Sequence, residues 1–301
     1  MKSANLHNVP YKICIIAHSR IRLKPSFQIR TTETGSLQPD QSSLIIDAGE
    51  KHLNFAVLSR ESNEYVALEY YQFRDKHKEE ELRELLSSHT LLQLDYRDIT
   101  VFYNNASGLL IPERFYDQDT SDRMLELVAG DVHTAMPFFD EVPELNLRNV
   151  YAIPVHLHEM MVAQFPQASY EHVHTGLLKK NSILDRKDDR IEVVFYPEQI
   201  IISVWLHGRL QILQCFTYET PDDITWYLLD ICKQWNVDTA DIPVLVSGLV
   251  EPYSALYSSI DRYFKVVQTE VRPEAFNYDI AFDRYPDHFF SPLFSLGLCV
   301  S

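Results

Sequence analysis

The chain has 301 residues, 46% of them hydrophobic and 23% charged, which suits two globular domains or one duplicated unit with a real core. A net charge of −16 speaks against a nucleic-acid partner, because phosphate binding needs a surface rich in Lys and Arg. No run of about 18 apolar residues spans a membrane, and the apolar stretch at 11–17 lacks the length and cleavage site of a signal peptide.

Residues 1–40 carry Lys2, Lys12, Arg20, Arg22, Lys24 and Arg30 against Glu33 and Asp40, a net of +4 that leaves −20 on the remainder. This basic N-terminal extension reads as a solvated tail, with a docking arm folded onto the acidic body as the sharper alternative. Residues 31–43 are polar and turn-rich, a linker by composition. The body opens with the apolar run Leu44-Ile45-Ile46, as expected of a buried strand. Strands at 53–58 and 65–73 follow, giving a three-stranded meander. A helix spans 76–92, with Leu82, Leu85, Leu86 and His89 on one face. A strand at 99–103, a turn at 104–108 and a helix at 120–128 come next. A strand at 149–153 stops at Pro154, a short helix covers 156–165, and 170–174 reads as a strand.

The charged stretch 179–190 is read as the boundary between a first half at 41–178 and a second at 179–301. Strands at 191–195, 200–206 and 210–218 form a second meander. The helix after it is well signalled. Thr220 caps, Pro221 takes the first helical position, and Asp222 and Asp223 favour the positive end. Its apolar residues recur at helical spacing from Ile224 to Trp235. A strand at 244–247 ends at Gly248, a helix covers 252–264, a strand 265–269, and a terminal helix interrupted by Pro292 spans 287–300.

The order strand, strand, strand, helix, strand thus occurs twice, at 43–111 and 190–250. Such duplication builds the ribonuclease-H-like halves of the actin, sugar kinase and Hsp70 superfamily. More narrowly, Leu109-Leu110-Ile111-Pro112-Glu113-Arg114-Phe115, Val150-Tyr151-Ala152-Ile153-Pro154, the helix at 156–165 and Phe289-Phe290-Ser291-Pro292-Leu293-Phe294 resemble a bacterial family known as domain of unknown function 3822. The resemblance covers residues 41–301. It implies an α/β, duplicated actin-like ATPase fold with two mixed sheets and flanking helices. It supplies no activity.

In nucleotide-binding members of that superfamily, an Asp-x-Gly hairpin organises Mg and phosphate. Here Asp47-Ala48-Gly49 follows the first strand, but Glu50-Lys51-His52 replaces the usual small and hydroxyl residues. The matching turn in the second half is Phe195-Tyr196-Pro197-Glu198. Its proline has no N–H to donate, and its aromatics fill space. The adenosine site retains one glycine, Gly248. The whole chain has 8 Gly, with no Gly-Gly or Gly-x-Gly, where average usage gives about twenty. A phosphate cradle depends on backbone N–H groups that glycine exposes. Asp-x-Gly alone also occurs in tight turns for reasons of geometry.

Other chemistry fares worse. A two-metal nuclease needs three or four converging carboxylates; Asp47 and Glu81 or Glu84 are candidates, but the strand at 99–103 leads into amides. The pairs His156/His158 and His172/His174 offer too few ligands for zinc and read as surface or hydrogen-bonded histidines. Asp185, Asp188 and Asp189 lack the Gly and Glu of a calcium loop. No nucleophile motif is present. Cys14, Cys215, Cys232 and Cys299 are scattered and read as reduced thiols of a cytoplasmic bacterial protein.

The sequence therefore predicts a non-catalytic protein that binds a protein partner, with no metal or cofactor. The alternative is an ATP-binding member using Asp47, Gly49 and Gly248 with Mg. The cleft between the halves is expected to be too obstructed for a triphosphate. The expected working surface is the aromatic stretch 102–117, above all Phe115 and Tyr116, since loops after strands carry grafted function and exposed aromatics make anchors. The opposing expectation is that most of these rings are core.

Overall fold

The structure, a computed structural model, describes residues 23–300 except 32–34, 36, 107 and 130–133. Strand β1 (Phe27–Arg30) precedes the first meander, β2 (Ser42–Ala48), β3 (His52–Ser59) and β4 (Glu64–Gln72). Then come α1 (Lys78–Ser88) and β5 (Asp98–Tyr103). A small unit follows, made of β6 (Gly108–Pro112), α2 (Gln118–Ala129), β7 (Ala135–Val142) and β8 (Leu147–Pro154). The first half closes with α3 (Val155–Gln164), β9 (Ser169–His172) and α4 (Val173–Ile183). The second half runs β10 (Arg190–Phe195), β11 (Gln199–Leu206), β12 (Arg209–Thr217), α5 (Pro221–Gln234), β13 (Val244–Gly248), α6 (Ala255–Asp261) and β14 (Val267–Thr269). The chain ends with β15 (Asn277–Tyr278) and α7 (Ser291–Leu296).

The duplication is visible in the strand order. The first sheet runs β4-β3-β2-β5-β9, with β1 beyond β4, and the second runs β12-β11-β10-β13-β14. In both, the meander is antiparallel and the next two strands add in parallel. The last hairpin pairs are Ala48 with Leu53 and Phe195 with Ile200. Aligned on these pairs, Val194 stands where the first half has Asp47.

The layers follow from where the apolar residues fall. α1 and α3 cover one face of the first sheet, burying Leu82, Leu85 and Met161 against Leu44, Phe55 and Val101. α5 and α6 cover the far face of the second sheet, with Ile224, Leu228 and Ile260 on Val193 and Ile202. Between the sheets lie α4 and α7, whose Leu178, Leu293 and Phe294 join Ile45 and Leu68 to Val194, Ile201 and Trp205. A polar network runs through this middle layer. Lys180 of α4 pairs with Glu270 at 3.0 Å, and Ser291 of α7 donates to the same carboxylate at 3.1 Å. Glu192 of β10 accepts from Arg190 at 2.8 Å and Asn181 at 2.9 Å.

Several sequence expectations need correction. Residues 1–22 of the basic extension lie outside the described residues, but its end is not a solvated tail. β1 pairs with β4, Ile29 is buried, and Arg30 holds the buried Glu69. In the charged stretch 179–190 the first residues, through Ile183, finish α4, and Lys180 there is buried and paired with Glu270. The strand at 170–174 ends at His172, and His174 lies in the first turn of α4. β7 was not expected, since Pro137 interrupts its pattern; proline is tolerated there because β7 is an edge strand. The terminal helix is only α7, with Pro292 in its first turn, where a missing N–H costs nothing. Residues after Thr269 also return to the first sheet, where β15 pairs with β4.

Candidate functional site

The cleft between the halves is framed by the two expected hairpins. Asp47, next to last in β2, is only 3% exposed. Asn104 donates to Oδ1 at 2.9 Å and Asn54 to Oδ2 at 3.3 Å, while His52 Nε2 lies 3.2 Å from Oδ1. These partners follow from the topology. Asn54 faces Asp47 across the β2–β3 register, and Asn104 follows the last residue of β5. The carboxylate is thus held by neutral or ring donors, with no Lys or Arg ion pair to it among the described residues.

Tyr196 leads the opposite hairpin, its N–H donating to Gln199 O at 2.9 Å. Its ring is buried and stacks on His52 with centroids 5.4 Å apart. Burial most of all, and then the nearby Asp47 charge, push the phenol well above its ordinary range. Two more contacts bridge the halves. Gln199 donates to Asn104 Oδ1 at 2.8 Å, and Lys51 pairs with Glu198 at 2.6 Å. Outside Tyr196 a cleft of about 240 Å³ remains, lined by Glu50, Lys51, Gln72, Asn105, Glu198 and Thr217. Beneath the ring a cavity of about 20 Å³ touches Asp47, Asn54 and Tyr70. The Asn54 Oδ1 and Tyr70 hydroxyl atoms are buried without a protein partner, and the space admits a water to satisfy them.

The glycines of the ATP alternative have other reasons to be glycine. Gly248 has φ +83°, and a Cβ there would sit 2.2 Å from Phe195 O. It lets β13 run close beside β10. At Gly49 a Cβ would meet His52 Cε1 at 2.4 Å and Asn104 O at 2.9 Å. A Mg-phosphate group fits this arrangement poorly. It has to displace Tyr196 to reach Asp47, Pro197 offers no N–H, and Glu50 and Glu198 place negative charge at the rim.

Among the described residues no group of three or more His, Cys, Asp or Glu is placed to hold an ion. His172 and His174 are fully buried rather than on the surface. His172 bonds to Asn105 O at 3.1 Å, and burial pushes its imidazole down to about 3. Its backbone N–H and the Thr175 hydroxyl both donate to Asp140 of β7, at 2.7 Å each, so this cluster ties the small unit to the body.

The stretch 102–117 divides sharply. Phe102, Tyr103 and Ile111 are core, Leu109 and Leu110 are half-buried, and Phe115 is 64% exposed. Tyr116 is half-buried, its ring 5.5 Å from that of Phe139 on β7. The Arg148 guanidinium of β8 lies over both rings, 4.2 Å from Tyr116 and 5.0 Å from Phe139. Glu113 and Glu141 fix that guanidinium at 2.8 and 2.9 Å. Tyr116 and Phe139 therefore form an aromatic pair braced by Arg148, and we term this pair and the exposed Phe115, whose ring lies under the Arg114 guanidinium at 4.5 Å, the shelf. Sequence reading found Phe115 and Tyr116 only; Phe139 lies on β7, which was not expected, and Arg148 sits one residue before the strand expected at 149–153.

Comparison with known proteins gives the fold and the family. The structure is similar to a Bacteroides thetaiotaomicron protein with an actin-like ATPase fold and unknown function (TM-score 0.70, 14% identity, 81% of this chain and 95% of that one). It is also similar to a chain of the PilM-PilN type IV pilus biogenesis complex (TM-score 0.55, 13% identity, 86% and 97% covered). At these identities the likeness establishes an actin-like fold. No curated protein matches the chain. The model of the family described as protein of unknown function (DUF3822) matches residues 32–267, and the chain belongs to that family.

Proposed function

We propose that this protein is a non-catalytic actin-like protein that works by binding a protein partner, and that its nucleotide site is degenerate. The observation that carries the reading is Tyr196, buried, stacked on His52 and set beside Asp47, where phosphate and metal would otherwise approach. The Asp47 oxygens are already engaged by Asn54, Asn104 and His52. The partner-binding part draws support from the exposed shelf of Phe115, Tyr116 and Phe139, and from a fold relative whose structure is that of a two-protein complex. The three cysteines among the described residues are free, with thiols raised by burial, which agrees with a reducing bacterial cytoplasm. No described helix is long and apolar enough to cross a membrane.

The alternative is ATP binding with Mg through Asp47, Gly49 and Gly248. The cleft of about 240 Å³ beside Asn104 and Lys51 favours it. Isothermal titration with Mg-ATP separates the two. The degenerate reading expects no heat at micromolar nucleotide and no change in Tm. Ligand at 100 times its Kd stabilises by about 2.7 kcal/mol, so binding is easily seen. Micromolar affinity that Asp47→Ala abolishes establishes the alternative.

A further inference from the structure

We infer that the shelf takes a cationic, amphipathic segment of a partner protein, docked through side chains and not as an added strand. This rests on the reading above that the shelf is a docking site, and it specifies what docks there.

The first argument is charge. Between Gly108 and Pro154 the chain has nine carboxylates against three arginines. One of those arginines, Arg148, is spent within the unit on Glu113 and Glu141. The rim around the rings stays acidic, with Glu113, Asp117, Asp119, Glu141 and Glu144 all exposed. A partner that brings Lys or Arg gains from this field during encounter and at contact, whereas an acidic one is repelled.

The second argument is apolar surface. Phe115 is 64% and Phe139 45% exposed, and Met124, Leu127 and Met136 of the same unit are 43%, 86% and 40% exposed. Single exposed apolar residues are ordinary, but aromatics beside one another and held rigid are what binding anchors look like. The brace matters here. With Arg148 stacked on Tyr116 and Phe139 and gripped by two carboxylates, the rings lose little freedom on binding.

The third argument excludes the commonest alternative geometry. β7 is an edge of the small sheet, whose order is β6-β8-β7, and free edges recruit strands. Pro137 lies in the middle of β7 and removes a ladder donor there. The other edge, β6, is five residues long and ends in Pro112. Both edges are blunted against pairing, which leaves side-chain docking of a preformed segment.

The test uses the full chain and three fluorescent helical peptides of equal length. One has a Leu stripe and Lys elsewhere, one the same stripe with Glu for Lys, and one Lys with Ser in place of Leu. Anisotropy titrations against wild type should show the Leu/Lys peptide binding at least about tenfold tighter than either control. Phe115→Ala with Phe139→Ala should remove the preference, and Asp119→Lys with Glu144→Lys should weaken binding without touching the rings. Circular dichroism and Tm verify that the variants are folded. If the Lys/Ser peptide binds as well, attraction is purely electrostatic and the inference fails. If the Leu/Glu peptide binds as well, the cationic partner is wrong while the shelf survives as a docking site. If no peptide binds, the inference is overturned. The shelf reading falls as well if photocrosslinking from position 115 in cells captures no protein.

Discussion

The cleft and the shelf are built from the same kinds of residue and use them in opposite ways. In the cleft, His52, Asn54 and Asn104 engage the Asp47 carboxylate, and Asp47 and Tyr196 are almost wholly out of water. On the shelf, Arg148 braces Tyr116 and Phe139 from one side, and Phe115 and Phe139 remain largely exposed to solvent. A site whose groups are spent internally contributes to stability. A site whose apolar groups are left exposed and held rigid contributes to recognition. The contrast is testable, because cleft substitutions should alter folding and shelf substitutions should alter binding.

The largest effect belongs to Gly248→Ala. The new Cβ meets Phe195 backbone at 2.2 Å, and φ is +83°, so strain and overpacking act together. A loss of about 3 kcal/mol or more in urea unfolding is expected, with no nucleotide present. Unchanged stability would remove the packing explanation for this glycine and return weight to the ATP alternative.

Acid should cost nearly as much through the layer behind the cleft. Burial, the largest influence, raises the Glu192 carboxyl, but Lys180 and Arg190, with hydrogen bonds from Asn181 and Arg190, outweigh it and hold it at about 2. Its folded value is below its unfolded one, so its stabilisation is complete above the unfolded value near 4.5 and fades as pH falls toward 2. That contribution is about 3 kcal/mol. Glu192→Gln should flatten the dependence of unfolding free energy on pH in this window, and an unaltered slope contradicts the assignment.

Asp47→Ala comes next. It strands His52, Asn54 and Asn104 in a buried place, for a loss of about 1–3 kcal/mol. The point is the sign without ligand. A carboxylate kept for Mg is a burden to the empty protein, and its removal then stabilises. A carboxylate kept for its neighbours is missed at once. Calorimetric Tm of wild type and variant decides between these.

How much of this was legible follows from which residues signal through neighbours in sequence. The two meanders were, because Leu44-Ile45-Ile46 and the runs at 191–206 are apolar and the turns between them polar. The helix from Pro221 was, because its cap, proline and acids are local signals. Tyr196 was flagged by its place in the second hairpin. The partners of Asp47 were not, since Asn54 and Asn104 reach it only through strand pairing. The burial of Lys180 and His172 was not legible either, because their partners Glu270 and Asn105 lie far off in sequence. β7 was hidden by Pro137, and with it Phe139 of the shelf.

The smallest expected change in stability is the most telling about function. Phe115 is 64% exposed and touches chiefly the Arg114 guanidinium, 4.5 Å from its ring centre. Phe115→Ala should therefore shift unfolding free energy by less than about 0.5 kcal/mol, as surface substitutions do. If the ring is an anchor, the same variant weakens binding of the Leu/Lys peptide by about tenfold or more, since anchors cost over 1 kcal/mol on truncation. A large stability loss would show that the ring is structural, and the contrast between cleft and shelf would collapse. Little change in either quantity would move the recognition surface away from Phe115, toward Phe139 and the exposed Leu127 of α2. Only the combination of intact folding and lost binding places Phe115 in the working surface, and one variant measured two ways supplies it.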